Sequence, residues 1–266
     1  MAIMWIHFIR CDCFFEPVQM YEEFRNLLQS FKDKLDSLPY IRYRELMTSG
    51  CGGQVFVYIE SNNDEDYEAK NALLLDFLAE HPLVRKVTSA PSLSSFASSN
   101  GIGLNVDVTA PEDVSSYPIV GVIDNGISDV FDGWKVYSWT ELPDRFRVED
   151  HGSKLAGLLV KGNCLNGPDI APETDGCRLA DLFLFPSKSK WDEAYPFGVE
   201  DFFESLRNAV EEAKEAAGAR IFNISINQEA RIEAEGFYSV VARKLDEIAD
   251  ELDVQFVISA GNLTQG

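Results

Sequence analysis

The stretch YPIVGVIDNG, Tyr117 to Gly126, sets a near-continuous apolar run against an acidic turn. Tyr117 to Ile123 offers no alternate polar positions to face water, so it reads as a strand covered on both faces, as in a parallel sheet. Asp124-Asn125-Gly126 then ends the strand with residues that satisfy the backbone locally and allow a positive φ. Three more runs of this kind follow, at Leu179 to Phe185, Ala219 to Ile226 and Val254 to Ala260. Between them, Asp201 to Ala217 places Phe202, Leu206, Ala209, Val210 and Ala213 on one helical face, and Tyr238 to Leu252 does the same with Val241, Leu245, Ile248 and Leu252. Buried strands alternating with amphipathic helices predict an α/β fold with a doubly wound parallel sheet over residues 117–266.

Upstream of that sheet, residues 91–116 are rich in Ser and Gly, have no apolar period, and read as a linker. Residues 1–90 then form a unit of their own. An apolar run, Ile3 to Ile9, precedes a helix whose apolar face is Tyr21, Phe24, Leu27, Leu28, Phe31 and Leu35. Two strand-like runs, Tyr40 to Met47 and Gln54 to Glu60, flank a turn at Gly50, Gly52 and Gly53. A second helix starts in the acidic Asp64-Glu65-Asp66 turn, where negative charge suits a helix N-terminus, and a last strand covers Val84 to Thr88. The order βαββαβ is a split βαβ, or ferredoxin-like, layout.

The composition narrows the classes of function. With 266 residues and 45% hydrophobic content, the chain is able to bury one good core and a smaller second one. A net charge of −21 argues against nucleic acid or an anionic membrane surface as partner, because both need basic patches. The N-terminal MAIMWIHFIRCDCFF has no basic residue ahead of its apolar stretch and is interrupted by Arg10 and Asp12, unlike a signal peptide. No stretch reaches the roughly 18 apolar residues of a membrane span. The five cysteines, Cys11, Cys13, Cys51, Cys164 and Cys177, have neither zinc-ligand nor CxxC spacing, and read as thiols of a cytoplasmic protein.

Ligand sites in doubly wound sheets form beyond the carboxyl ends of the strands. Asp124 falls just past the first strand and Gly261-Asn262 just past the last, while His151 opens a helical segment, Gly152 to Val160, whose Leu155, Leu158 and Leu159 are expected on the sheet. Each alone has a plain structural reading. Asp-Asn-Gly is a common turn, Asp-His-Gly a plausible helix cap, and Asn262 another turn residue. Three distant polar residues brought to one edge of a sheet are nevertheless what a catalytic site requires.

The strings around these residues, VGVIDNG, DHGSKLAG and VISAGN, resemble those of subtilisin-like serine peptidases in the order Asp, His, Asn. The resemblance covers roughly residues 117–266 and extends to Ala171-Pro172 within GPDIAPETDGCRLADLFLF and to NISIN, Asn223 to Asn227. It implies that Asp124 orients His151, that His151 is the proton acceptor, and that Asn262 donates to the oxyanion. It also implies that Ser225, Ile226 and Asn227 pair with a bound peptide as an added strand. The βαββαβ unit has the layout and position of the pro-domain that precedes the catalytic domain in this family.

Departures from the family pattern bear on the same residues. Asn125 stands where Ser or Thr is usual, Lys154 where a second histidine is usual, and Asn227 where glycine is usual. The nucleophilic serine of the family follows the asparagine by several dozen residues, and the sequence ends at Gly266. The implied function is a serine endopeptidase whose serine lies beyond this chain, with a peptide or protein as substrate. The alternative is a peptide-binding module of the same fold that does not cut. No cofactor is assigned, although calcium is common in the family.

Overall fold

The structure is a computed structural model that describes residues 3–8, 18–46, 54–89, 93–95, 107–110, 113–166, 176–228 and 240–259. The chain divides into two compact units, Met1–Ala90 and Pro91–Gly266.

In the first unit the strands β1 (Ile3–Phe8), β2 (Ile41–Leu46), β3 (Gln54–Ile59) and β4 (Val84–Ser89) alternate in sequence with the helices α1 (Val18–Asp36) and α2 (Asp64–Glu80) as βαββαβ. The strands form one antiparallel sheet in the order β2-β3-β1-β4. Alternate residues of the strands, Ile6, Val55, Val57 and Ile59, meet Phe31 and Leu35 of α1 and Leu74 and Leu78 of α2 in a closed core. Leu27, expected on the inner face of α1, is instead 38% exposed, at the margin of a stripe that Phe31 and Leu35 fill. Asn63 caps α2 by accepting the Asp66 N–H, and three acidic residues occupy its first turn. Tyr21, Phe24 and the glycine turn lie outside the described residues or side chains.

The second unit is α/β. Five strands, β6 (Ile119–Asp124), β7 (Lys135–Trp139), β8 (Arg178–Phe183), β9 (Ile221–Ile224) and β11 (Gln255–Ile258), pair in parallel in the order β11-β9-β6-β8-β7. They are flanked by α3 (Asp150–Asn166), a short α4 (Trp191–Ala194), α5 (Val199–Ala217) and α6 (Val240–Leu252). The central strands β6 and β8 are buried on both faces, as their apolar runs require. The apolar faces of α5 and α6 are the ones their spacing predicts, with Phe202, Leu206, Ala209, Val210 and Ala213 fully buried on α5. Gly218 closes α5 in the left-handed conformation, its N–H bonding back to Ala213 and Lys214 carbonyls.

Three features depart from the sequence reading. In α3, Gly152, Ala156 and Val160, four residues apart, are buried toward the sheet and Leu155 and Leu159 pack beside them as expected, but Leu158 is turned outward at 45% exposure. Strand β11 is not covered on both faces, since Val257 and Ile258 are 49% and 47% exposed at the outer position of the sheet. Within the segment read as a linker, Leu93–Ser95 forms β5, which pairs antiparallel with β10 (Ile226–Gln228). Further along it, the Val108 carbonyl accepts a 2.7 Å hydrogen bond from the buried Trp134 indole.

The order of the large sheet fixes where a site is able to form. From β6 the chain leaves toward β7 on one side, and from its neighbour β9 it leaves toward β11 on the other. Two adjacent parallel strands whose exits diverge leave a crevice at their carboxyl ends. Asp124 is the last residue of β6, and Ser225 follows the last residue of β9.

Candidate functional site

Asp124 shares a face of β6 with Val122, the face on which α3 packs. Its side chain is 1% exposed. One carboxylate oxygen accepts the Asn125 N–H at 2.8 Å, and the other lies 2.8 Å from Nδ1 of His151. The Asp124 carbonyl accepts the N–H groups of Leu184 and Phe185, both at 3.1 Å, which secures the strand end to the chain leaving β8.

His151 is the second residue of α3 and keeps 17% of its side chain exposed. A buried carboxylate at Nδ1 makes that nitrogen the proton donor, the tautomer in which Nε2 is the basic nitrogen. The Asp124 hydrogen bond raises the histidine's proton affinity above the ordinary value, assisted by the charges of Asp124 and Asp150 and opposed by burial and by Lys154. The other two histidines have different settings. His81 packs against Phe31 and Phe77, and burial lowers its proton affinity. His7 lies in β1, and its side chain is outside those described.

The turn and the helix end approach so closely that glycine is required on both. A Cβ on Gly152 would stand 2.3 Å from the Gly126 carbonyl oxygen and 3.3 Å from the Asp124 Cβ. Gly126 has φ +103, and a side chain there would meet Arg147. Arg147 reaches under the turn to the buried Asp181 of β8 at 2.9 Å and lies over the Phe183 ring at 4.8 Å. Burial raises the proton affinity of Asp181, and Arg147 counteracts this.

Asn125 joins the two segments by its side chain. Its Oδ1 accepts the Gly152 N–H at 2.9 Å and its Nδ2 donates to Asp150 Oδ1 at 2.5 Å. Ser153 adds a further tie, its Oγ accepting the Ser128 N–H at 2.9 Å. Sequence reading singled out Asp124 and His151 but assigned no part to Asp150, Arg147 or Asp181. The only local signal was an acidic residue immediately before the histidine.

Ser225, 3% exposed, lies between β9 and β10, and Ile226, 8% exposed, opens β10. Through β10, Ile226, Asn227 and Gln228 pair with Ser95, Ser94 and Leu93, and Leu93 is 4% exposed. The Asn227 side chain, Ala171-Pro172 and Asn262 lie outside the described residues or side chains. Asp124 and His151 are therefore in contact, whereas the expected position of Asn262 is not described.

Among the described residues no group of three or more His, Cys, Asp or Glu is arranged to hold a metal, and no helix is long and apolar enough to cross a membrane. Cys177 is buried, which pushes its thiol up to about 11, whereas Cys164 is exposed. Comparison with protein-family models gives no match, and comparison with curated proteins gives none either.

Proposed function

We propose that this chain carries the aspartate and histidine of the catalytic triad of a serine endopeptidase of the subtilisin type, built on a subtilisin-like doubly wound sheet and preceded by a ferredoxin-like pro-domain. The observation that carries the reading is the 2.8 Å contact between the buried Asp124 carboxylate and Nδ1 of a partly exposed His151 at the carboxyl edge of a parallel sheet. In this reading a serine outside the present sequence attacks the peptide carbonyl. Its proton passes to His151 Nε2, and the tetrahedral intermediate collapses as His151 returns that proton to the leaving amine. Asp124 stays ionised throughout and stabilises the imidazolium. Asn262 donates to the oxyanion, a contact worth about 2.7–4 kcal/mol of barrier in such sites.

The substrate is a peptide or protein segment bound as an added strand along Ser225, Ile226 and Asn227. The antiparallel pairing of β10 with β5 of the same chain supports this, since Leu93–Ser95 lies along that edge as an extended segment with Leu93 buried. In this reading the protein acts in the cytoplasm; no cofactor is assigned, and calcium is the ion the family resemblance would allow.

The test is a fluorophosphonate probe applied to the natural chain extended past Gly266. Labelling that is lost in His151→Ala supports the peptidase. A folded, extended chain that takes no label overturns it and leaves the same β10 edge as a peptide-binding module, the reading that the β5 pairing by itself would favour.

A further inference from the structure

We infer that Asn125 is a positioning residue for the Asp124–His151 couple, its amide acting as a clasp between the turn that carries the aspartate and the helix end that carries the histidine. The inference rests on the reading of that couple as the aspartate and histidine of a catalytic site. Asp124 pairs with His151, while Asn125, only 6% exposed, pairs with the residues on either side of that histidine. Its Oδ1 takes the Gly152 N–H, one of the unpartnered donors of the first turn of α3. Its Nδ2 holds Asp150 Oδ1, the oxygen that also accepts the His151 N–H at 2.7 Å. The Asn125 carbonyl accepts the Val148 and Glu149 N–H groups at 3.4 and 3.2 Å, so the same residue fixes the chain entering the helix.

The chemistry of the side chain explains why an amide serves here. An amide presents a donor and an acceptor at fixed separation on one rigid plane. A serine hydroxyl is shorter and carries one O–H, so it is unable to reach Asp150 and Gly152 together. An aspartate at this position would accept from Gly152 but set a second carboxylate against Asp150. The subtilisin-like pattern of Asp followed by Ser or Thr therefore does not describe how this turn is fastened. Without the clasp, the Asp124–His151 contact loses the two hydrogen bonds that tie its turn to the residues flanking the histidine.

The test is an NMR titration of the full chain with labelled histidine, following the His151 ring and its Nδ1 proton, with His7 and His81 as internal references. The charged groups facing the ring are Asp124, Asp150 and Lys154. Asn125→Ser is expected to speed exchange of the Nδ1 proton about tenfold, the consequence of losing a buried hydrogen bond, and to lower the titration midpoint of His151. Asp150→Asn keeps an acceptor for Asn125 and leaves that proton protected. Asn125→Asp loses the protection, and Asn125→Asp with Asp150→Asn, which exchanges the two groups across the same contact, regains it.

Unchanged protection in Asn125→Ser and Asn125→Asp overturns the inference. Should those single variants fail to fold, a double variant that folds without regaining the protected proton overturns it as well. The readout involves no turnover. A clasp confirmed by NMR in a protein that resists the fluorophosphonate probe would remove the peptidase and leave the positioning role intact.

Discussion

Asp124 and His151 derive their properties from unequal burial. The carboxylate is sealed at 1% exposure and the imidazole retains 17%, so the aspartate is fixed and the histidine ring remains reachable. Because the proton affinity of His151 is raised in the folded chain, its contribution to stability is fully present below the unfolded value near 6.5 and is lost as pH rises through the higher folded value. Asp124→Asn removes the main cause. The expected results are a His151 midpoint lower than in the native chain and a melting temperature that no longer declines across that interval; an unchanged midpoint would refute the pairing. If the proposed peptidase reading holds, probe labelling of the extended chain should rise over the same interval, since only the neutral imidazole accepts a serine proton. These two residues were legible because each sits in a short string with glycine beside it. Asn125 to Asp150 was not, because the partners are 25 residues apart and each, read alone, is an ordinary turn or cap residue.

At the level of elements, the site is a matter of how near α3 comes to β6. The approach rests on Gly152 and Ala156, small residues that let the helix backbone reach the sheet. Gly152→Ala puts a methyl group 2.3 Å from a backbone carbonyl that has nowhere to retreat, so α3 must shift at its N-terminus. A loss of about 1–3 kcal/mol is expected from such overpacking, together with loss of the protected His151 Nδ1 proton. Chemical denaturation and the NMR signal check both. A variant as stable as the native chain would disprove the close contact. Sequence reading found the central strands and α5 because full burial and a wide apolar stripe leave clear periods. It missed β7, whose five residues alternate in exposure at the sheet edge, and β5, which is three residues inside a serine-rich stretch. Leu158 is outward because the four-residue spacing of Gly152, Ala156 and Val160 sets the inner face of α3.

At the scale of the molecule, the described residues of each unit assemble buried cores from separate stretches of sequence, of which two clusters show the pattern. The first is built from Ile6, Phe31, Leu35, Val57, Leu74 and their neighbours, the second from the residues around Val122, Trp134 and Leu179. Leu74→Ala, at a fully buried position of the first core, should cost about 2–5 kcal/mol there. Calorimetry should show one transition shifting while the other, belonging to the α/β unit, holds its temperature. A single transition moving as a whole would mean that the units unfold together. The net charge of −21 gives no guide to this division, and it was the change in apolar period near residue 90 that made it legible.

The sheet order also has a bearing on birth at the ribosome. Strand β6 lies at the centre, with Val120 hydrogen-bonded in register to Leu179 on one side and Ile221 on the other. Both neighbours are made later, and β9 follows by roughly a hundred residues. At about 5–20 residues per second of synthesis, the most apolar strand of the fold waits on the order of 5–20 s with an edge open. A nascent chain stalled before Ile221 should therefore be a chaperone client, while one stalled after the first unit has emerged should not.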